Sequence, residues 1–204
     1  MKKFSLKPVV FMFILTLVFT LVLSTLNHVT KDKIMLNELV KQQASFLYVL
    51  NFDASTLDAE TINLLYNDHI NEIKVNDFTL YEAYEDNRLI AYILPIEGKA
   101  VWGDLRALMA LTPDFSEVIG IDILSHSETP GLGARIDDIS FKEQFRGINL
   151  NRENDLNFII YNPNPNGQVD AISGATGTSN ALRRILNENL YNFFEHIKEG
   201  LKND

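Results

Sequence analysis

Cysteine is absent from the 204 residues. The chain therefore carries no disulfide, no thiolate zinc site, no iron–sulfur ligation and no thioether-linked haem, and it lacks the residue on which a lipoprotein anchor is built. Any redox chemistry must be borrowed from an organic cofactor. Basic charge is also scarce: 18 Lys and Arg stand against 27 Asp and Glu, a formal net charge of -9. A surface of that sign repels phosphate backbones, which argues against nucleic acid as a partner. Apolar residues are not lacking, at 46 %, and the length suits one packed domain with an appendage.

One long run carries no charge at all. From Pro8 to Leu26 every residue is uncharged and most are apolar, and at about 1.5 Å per helical residue the run reaches roughly the hydrocarbon thickness of a bilayer. It exceeds the apolar region of a usual signal peptide, and no small-x-small cleavage site follows, so a retained transmembrane helix over 8–26 is expected. Lys2, Lys3 and Lys7 precede the run, whereas His28, Lys31 and Lys33 follow it beside Asp32. The positive-inside bias then places residues 1–7 in the cytoplasm and the rest beyond the cytoplasmic membrane, with membrane lipid as one partner.

Behind the anchor, Ile34, Leu36, Leu39, Val40, Phe46, Leu47 and Val49 recur at mixed helical spacings, which predicts a helical stalk and connection over 27–75. The pattern changes near Phe78. "TLYEAYEDNRLIAYILPIEG" alternates around Asp86-Asn87, a hairpin signal, and alternation over 105–111 and around Ile119, Ile121 and Ile123 predicts a second antiparallel pair. Ser140 and Glu143 have capping-box spacing in "SFKEQFRG", "NFIIY" reads as one more strand, and "NPNPNG" as a turn. Leu182, Ile185, Leu186, Leu190, Phe193, Phe194, Ile197 and Leu201 form the stripe of a long terminal helix. The expected fold class is α+β: an antiparallel sheet domain over 76–204 with packed helices, behind a transmembrane helix and a helical stalk.

Two bare stretches carry the chemistry. The first, "DAISGATGTSNALRR", opens the terminal helix, with Thr178, Ser179 or Asn180 available as N-cap. Ser173, Gly174, Ala175 and Thr176 then sit where unpaired helix N–H groups favour an anion, and the two small residues let a phosphate approach the backbone. A plain capped turn is the better account of such a cluster when it stands alone. The second, "SHSETPGLGARIDD", follows a predicted strand: Gly131 and Gly133 permit positive φ or close approach, Pro130 stiffens the turn, and Leu132 offers an apolar contact. His126 with Glu128 is too small a set for a metal site.

"ETPGLG", followed some forty residues later by "DAISGAT", resembles the FMN-binding domain family, whose members include the RnfG subunit of Rnf complexes and the NqrC subunit of sodium-pumping NADH:quinone oxidoreductase. The likeness covers roughly residues 78–190, and the single anchor matches as well. It implies that Asp170, Ser173, Gly174, Ala175 and Thr176 form the target of a flavin transferase, with FMN joined through its phosphate to Thr176. By the same resemblance Glu128, Thr129, Pro130, Gly131, Leu132, Gly133 and Thr178 border the cofactor, and Trp102, in "GKAVWGD", is either a ring contact or a core residue. The implied role is a redox subunit relaying electrons among the other membrane subunits of an Rnf or Nqr complex while Na+ or H+ is moved. The short chain fits RnfG better than the generally longer NqrC.

Overall fold

The computed structural model describes residues 6–75, 78–152 and 156–196. Lys2, Lys3, Ile197 and Leu201 lie outside the described residues. The chain divides into two compact units, residues 1–41 and 42–204. The first is helix throughout almost all of its described part, the beginning of α1 (Lys7–Val49). It is the one helix among the described residues that is long and apolar enough to cross a membrane. Two polar side chains within the apolar run suit that medium: Thr16 and Thr25 each donate their hydroxyl to the carbonyl four residues back, at 2.8 Å, so each hydroxyl proton has a partner on an apolar surface.

The second unit is built on a six-stranded antiparallel meander: β1 (Ile70–Val75), β2 (Phe78–Glu85), β3 (Arg88–Lys99), β4 (Asp104–Leu111), β5 (Glu117–Ser125) and β6 (Ile148–Asn149), in that spatial order. The β2–β3 turn falls on Asp86 and Asn87, both at positive φ, the backbone that a two-residue hairpin requires and that Asp and Asn tolerate. Both faces are covered. On one, Leu94 and Ile96 of β3 and Leu105, Ala107 and Met109 of β4 join Leu182, Ile185, Leu186, Leu190 and Phe193 of α4 (Thr176–His196) in one core. On the other, Phe46 at the end of α1 sets its ring 4.6 Å from Tyr81 of β2 and 5.3 Å from Tyr66 of α2 (Ala59–His69). Burying each large side chain of this kind contributes about 1.5–3 kcal/mol, which is why the predicted α4 stripe is obeyed residue by residue within the described helix.

Three sequence expectations are corrected. Residues 70–75, expected as connection, are an edge strand; only Ile70 and Val75 are fully buried there, so its alternation is weak. "NFIIY" is not a strand. Ile159 donates its N–H to Asn187 Oδ1 at 2.9 Å and accepts from Asn187 Nδ2 at 3.0 Å, so one α4 side chain supplies what a neighbouring strand would have. The Ser140–Glu143 capping box does not form. The short α3 (Ile139–Lys142) follows Asp138 without a side-chain cap, and the Glu143 carboxylate instead accepts from Tyr48 and Arg146.

Gly98 fixes how close α4 lies to the sheet. A Cβ there would stand 2.7 Å from Ile185 Cγ1, so the helix packs directly on the β3 backbone, next to the turn that leads into the site.

Candidate functional site

Three segments converge at the start of α4: the β3–β4 turn at 100–103, the loop after β5 at 126–134, and residues 170–178. α4 begins at Thr176, at least three residues earlier than an N-cap at Thr178, Ser179 or Asn180 would place it, and a backbone bond runs from Ser179 N to the Ala175 carbonyl. Ala175 therefore holds the N-cap position, where it offers no side-chain oxygen, and among the described residues no acceptor meets the N–H groups of Thr176, Gly177 and Thr178. The expected capping hydroxyls are engaged elsewhere. Thr178, buried at 5 %, donates to Glu128 Oε2 at 2.5 Å. Ser179, fully buried, accepts from Ile172 N at 2.9 Å and donates to the Ala175 carbonyl at 3.1 Å. Thr176 and Ser173 are exposed.

Glu128 is the hub of the site. Its carboxylate is buried, and Oε1 accepts from Val101 N at 2.9 Å and Trp102 N at 3.0 Å while Oε2 takes the Thr178 hydroxyl. Its own N–H donates to His126 Nδ1 at 3.0 Å, and His126 Nε2 lies 3.1 Å from Asp137 Oδ2. Gly133 closes over the pair: a Cβ there would fall within 3 Å of both Thr178 Oγ1 and Glu128 Oε2. Its φ is not positive, so close packing explains the glycine. Gly131, with φ 74° and open space around it, is the position where backbone conformation asks for glycine. Thr129 turns this loop, its carbonyl accepting from Leu132 N and Ala134 N, and Pro130 is exposed at its tip.

Apolar side chains stand exposed on the two loops that meet the helix start. Trp102 is 70 % exposed, Val101 50 % and Leu132 48 %, which removes the core reading of Trp102. A Cβ on Gly177 would lie 3.6 Å from Val101 Cγ2 and one on Gly174 would lie 3.7 Å from Leu132 Cδ2, so two of these side chains approach the residues around Thr176. Gly174 itself has φ 78°. Asp170 stands apart from this group: its carboxylate accepts from Asn162 Nδ2 at 2.7 Å, and its N–H donates to Gln144 at 2.8 Å. A cleft of about 620 Å³ runs from Gly177 along Asn180, Ala181 and Arg184 to Glu188, with Leu156 also lining it. Arg184 is tied to the Lys99 carbonyl at 2.7 Å and to Glu188 at 3.1 Å. Sequence reasoning did not single out Val101 or Gly177; the only signal for either was a position next to Trp102 or Thr176.

This arrangement is a helix start with unpartnered N–H groups, bordered by exposed apolar side chains on an α+β scaffold. Residues 101–190 match the family model for the FMN-binding domain. The chain is 36 % identical over 130 residues to the RnfG subunit of the proton-translocating ferredoxin:NAD+ oxidoreductase complex of Clostridium ljungdahlii, an alignment covering 63 % of this chain and 68 % of the relative. It is 34 % identical over 116 residues to the NqrC subunit of the Na+-translocating NADH-quinone reductase of Pseudomonas aeruginosa, covering 53 % of this chain and 44 % of that one. The alignment thus spans less than half the length of that NqrC relative. Among solved structures, NqrC of Shewanella oneidensis superposes with a TM-score of 0.68 at 18 % identity, over 80 % of this chain and 97 % of that one. NqrC of Parabacteroides distasonis superposes with a TM-score of 0.66 at 22 % identity, over 81 % and 96 %. These two share the fold. The chain belongs to the FMN-binding domain family, as a relative of the RnfG and NqrC subunits of such oxidoreductase complexes.

Proposed function

We propose that this chain is the electron-transferring flavoprotein subunit of a membrane-bound, ion-translocating ferredoxin:NAD+ oxidoreductase, carrying FMN in phosphoester linkage to Thr176 Oγ1. The RnfG relative supports that complex over the quinone reductase, because the chain covers 68 % of its length against 44 % of the NqrC relative. FMN would supply the electron chemistry, and the protein's task is to hold and shield it. The free N–H groups of Thr176, Gly177 and Thr178 favour the charge a phosphodiester keeps, and Val101, Leu132 and Trp102 offer apolar cover for a flat ring. The α1 helix anchors the protein as a single pass, with its N-terminus in the cytoplasm and the flavin domain on the far side. Its partners are the other membrane subunits and the flavin transferase that matures it.

The observation that carries this reading is the separation of two hydroxyls. Thr176 is exposed at an uncapped helix start, while Thr178, two residues on, is buried and donates its proton to Glu128. The test is expression of wild type, Thr176→Ala and Thr178→Val with a flavin transferase, followed by denaturing electrophoresis and flavin fluorescence. Wild type and Thr178→Val should give fluorescent bands, and Thr176→Ala should be dark. A fluorescent Thr176→Ala band would move the linkage. Three dark bands beside a flavinylated control substrate would end the covalent reading.

A further inference from the structure

We infer that Glu128 is a positioning residue: it locks the turn bearing Trp102 to the helix start bearing Thr176, so that the attachment point and its apolar surround form one rigid body. The inference rests on the FMN reading for its purpose but not for its test. Its basis is geometric. One carboxylate accepts three donors from two segments distant in sequence, Val101 N and Trp102 N on one oxygen and the Thr178 hydroxyl on the other. It does so while only 4 % exposed, and Thr178 is 5 % exposed, so the carboxylate has these three donors in place of water.

Two further features serve the same contact. Gly133 leaves room for it, since any side chain there would enter the space of Thr178 Oγ1 and Glu128 Oε2. His126 fixes the backbone of Glu128 by accepting its N–H at Nδ1, which puts the ring proton on Nε2, where it is donated to Asp137. Glu128 therefore makes its contacts inside the protein, through Thr178 and the 101–102 backbone, and the residues left facing outward are Thr176, Trp102, Val101 and Leu132. An electron carrier with an exposed cofactor needs such a frame, because the distance and attitude of the ring relative to its partners must not drift.

Trp102 is the only tryptophan in the chain, so its fluorescence reports this turn alone. The full chain is purified in detergent without flavin, and three quantities are measured well below the melting transition: Trp102 fluorescence anisotropy, amide hydrogen exchange at Val101 and Trp102, and exchange at Met109 in β4 as a control. Glu128→Ala should lower the anisotropy and speed exchange at Val101 and Trp102 by about tenfold or more, with Met109 unchanged. Glu128→Gln should restore both, since its amide oxygen can accept the two N–H groups while its amide nitrogen can donate to Thr178. Thr178→Val, which breaks one arm and is nearly isosteric, should leave the 101–102 amides protected and loosen only the start of α4. In flavin-loaded protein the visible circular dichroism of the flavin should weaken in Glu128→Ala and return in Glu128→Gln, while the denatured flavin band stays constant across all of them.

The inference is overturned if Glu128→Ala only lowers the melting temperature and leaves Trp102 anisotropy and exchange at wild-type values, or if Glu128→Gln behaves as Glu128→Ala does. If Glu128→Ala does not fold, a Glu128→Gln protein with unprotected Val101 and Trp102 amides overturns it equally, and one with protected amides supports it. A wild type without a flavin band would defeat the FMN reading while these flavin-free measurements still decide the role of Glu128.

Discussion

Replacing Asn187 with leucine tests how the chain segment leading to the site is tied to α4. Asn187 is 5 % exposed and Ile159 fully buried. The amide side chain supplies both an acceptor for Ile159 N–H, at 2.9 Å, and a donor to the Ile159 carbonyl, at 3.0 Å. Leucine is of comparable size and has neither group. Two buried backbone groups then lose their partners at about 2 kcal/mol each, offset by about 1 kcal/mol from the added apolar burial, for a net loss of about 3 kcal/mol. For a folded unit of this size about 2–4 °C follow from each kcal/mol, so calorimetry of the full chain in detergent should show the melting temperature lowered by about 5–15 °C. Asn189 is the internal control. It makes similar bonds to the Glu97 backbone, with 2.9 Å from its Nδ2 to the carbonyl, but at a half-exposed position where water can take over, so Asn189→Leu should cost less than about 1 kcal/mol. Equal shifts for the two variants, or an Asn187→Leu shift under about 2 °C, would refute the claim that one side chain replaces a strand.

Gly98→Val should destabilise the sheet unit by about 1–3 kcal/mol, read as a lowered denaturation midpoint, because its Cβ would stand 2.7 Å from Ile185 Cγ1 and force α4 off β3; an unchanged midpoint would show that the helix can shift freely. In the β4–β5 turn, hydrogen bonds from the Thr112 hydroxyl, the Ser116 hydroxyl and Ser116 N hold Asp114 down at about 2, below the ordinary 3.8. A carboxyl depressed in the folded state adds stability that is fully present above the ordinary value of 3.8 and is lost as pH falls through about 2. An acid titration should therefore show a component between about pH 4 and 2 that Asp114→Asn lacks, and identical acid profiles would remove Asp114 from the account.

The order of strands was legible where burial is one-sided or turn chemistry is strong. Asp86-Asn87 marks its hairpin because few residue pairs accept two consecutive positive φ angles, and the α4 stripe is legible because five of its positions are at most 1 % exposed. β1 was hidden because it lies at an edge, with charged residues interrupting its alternation. Residues 157–161 misled for the opposite reason: their apolar pattern is real, but hydrogen bonding and not pattern separates a strand from an extended segment clamped by an asparagine. At the candidate site, "ETPGLG" and "SGAT" located both loops, yet composition could not tell an outward-facing group from an inward one. Glu128, Gly133 and Thr178 belong to the same two stretches as Leu132, Gly131 and Thr176, and they turn inward.

That inward and outward division bears on why attachment suits this site. A helix start contributes about 0.3–1 kcal/mol toward an anion at an exposed position. The apolar side chains beside Thr176 remain about half or more exposed, so they cannot enclose a ring as a deep pocket does. Neither contribution gives the affinity needed to retain a dissociable nucleotide in dilute solution, where a nanomolar complex requires about 12 kcal/mol. A cofactor meant to exchange electrons with neighbouring subunits must nevertheless stay at the surface, because burying it deeply enough to bind tightly would move it away from them. In the proposed function a phosphoester at Thr176 would reconcile the two demands. The bond would supply retention, the Glu128 frame would supply orientation, and the flavin's outer edge would be left free to meet a partner.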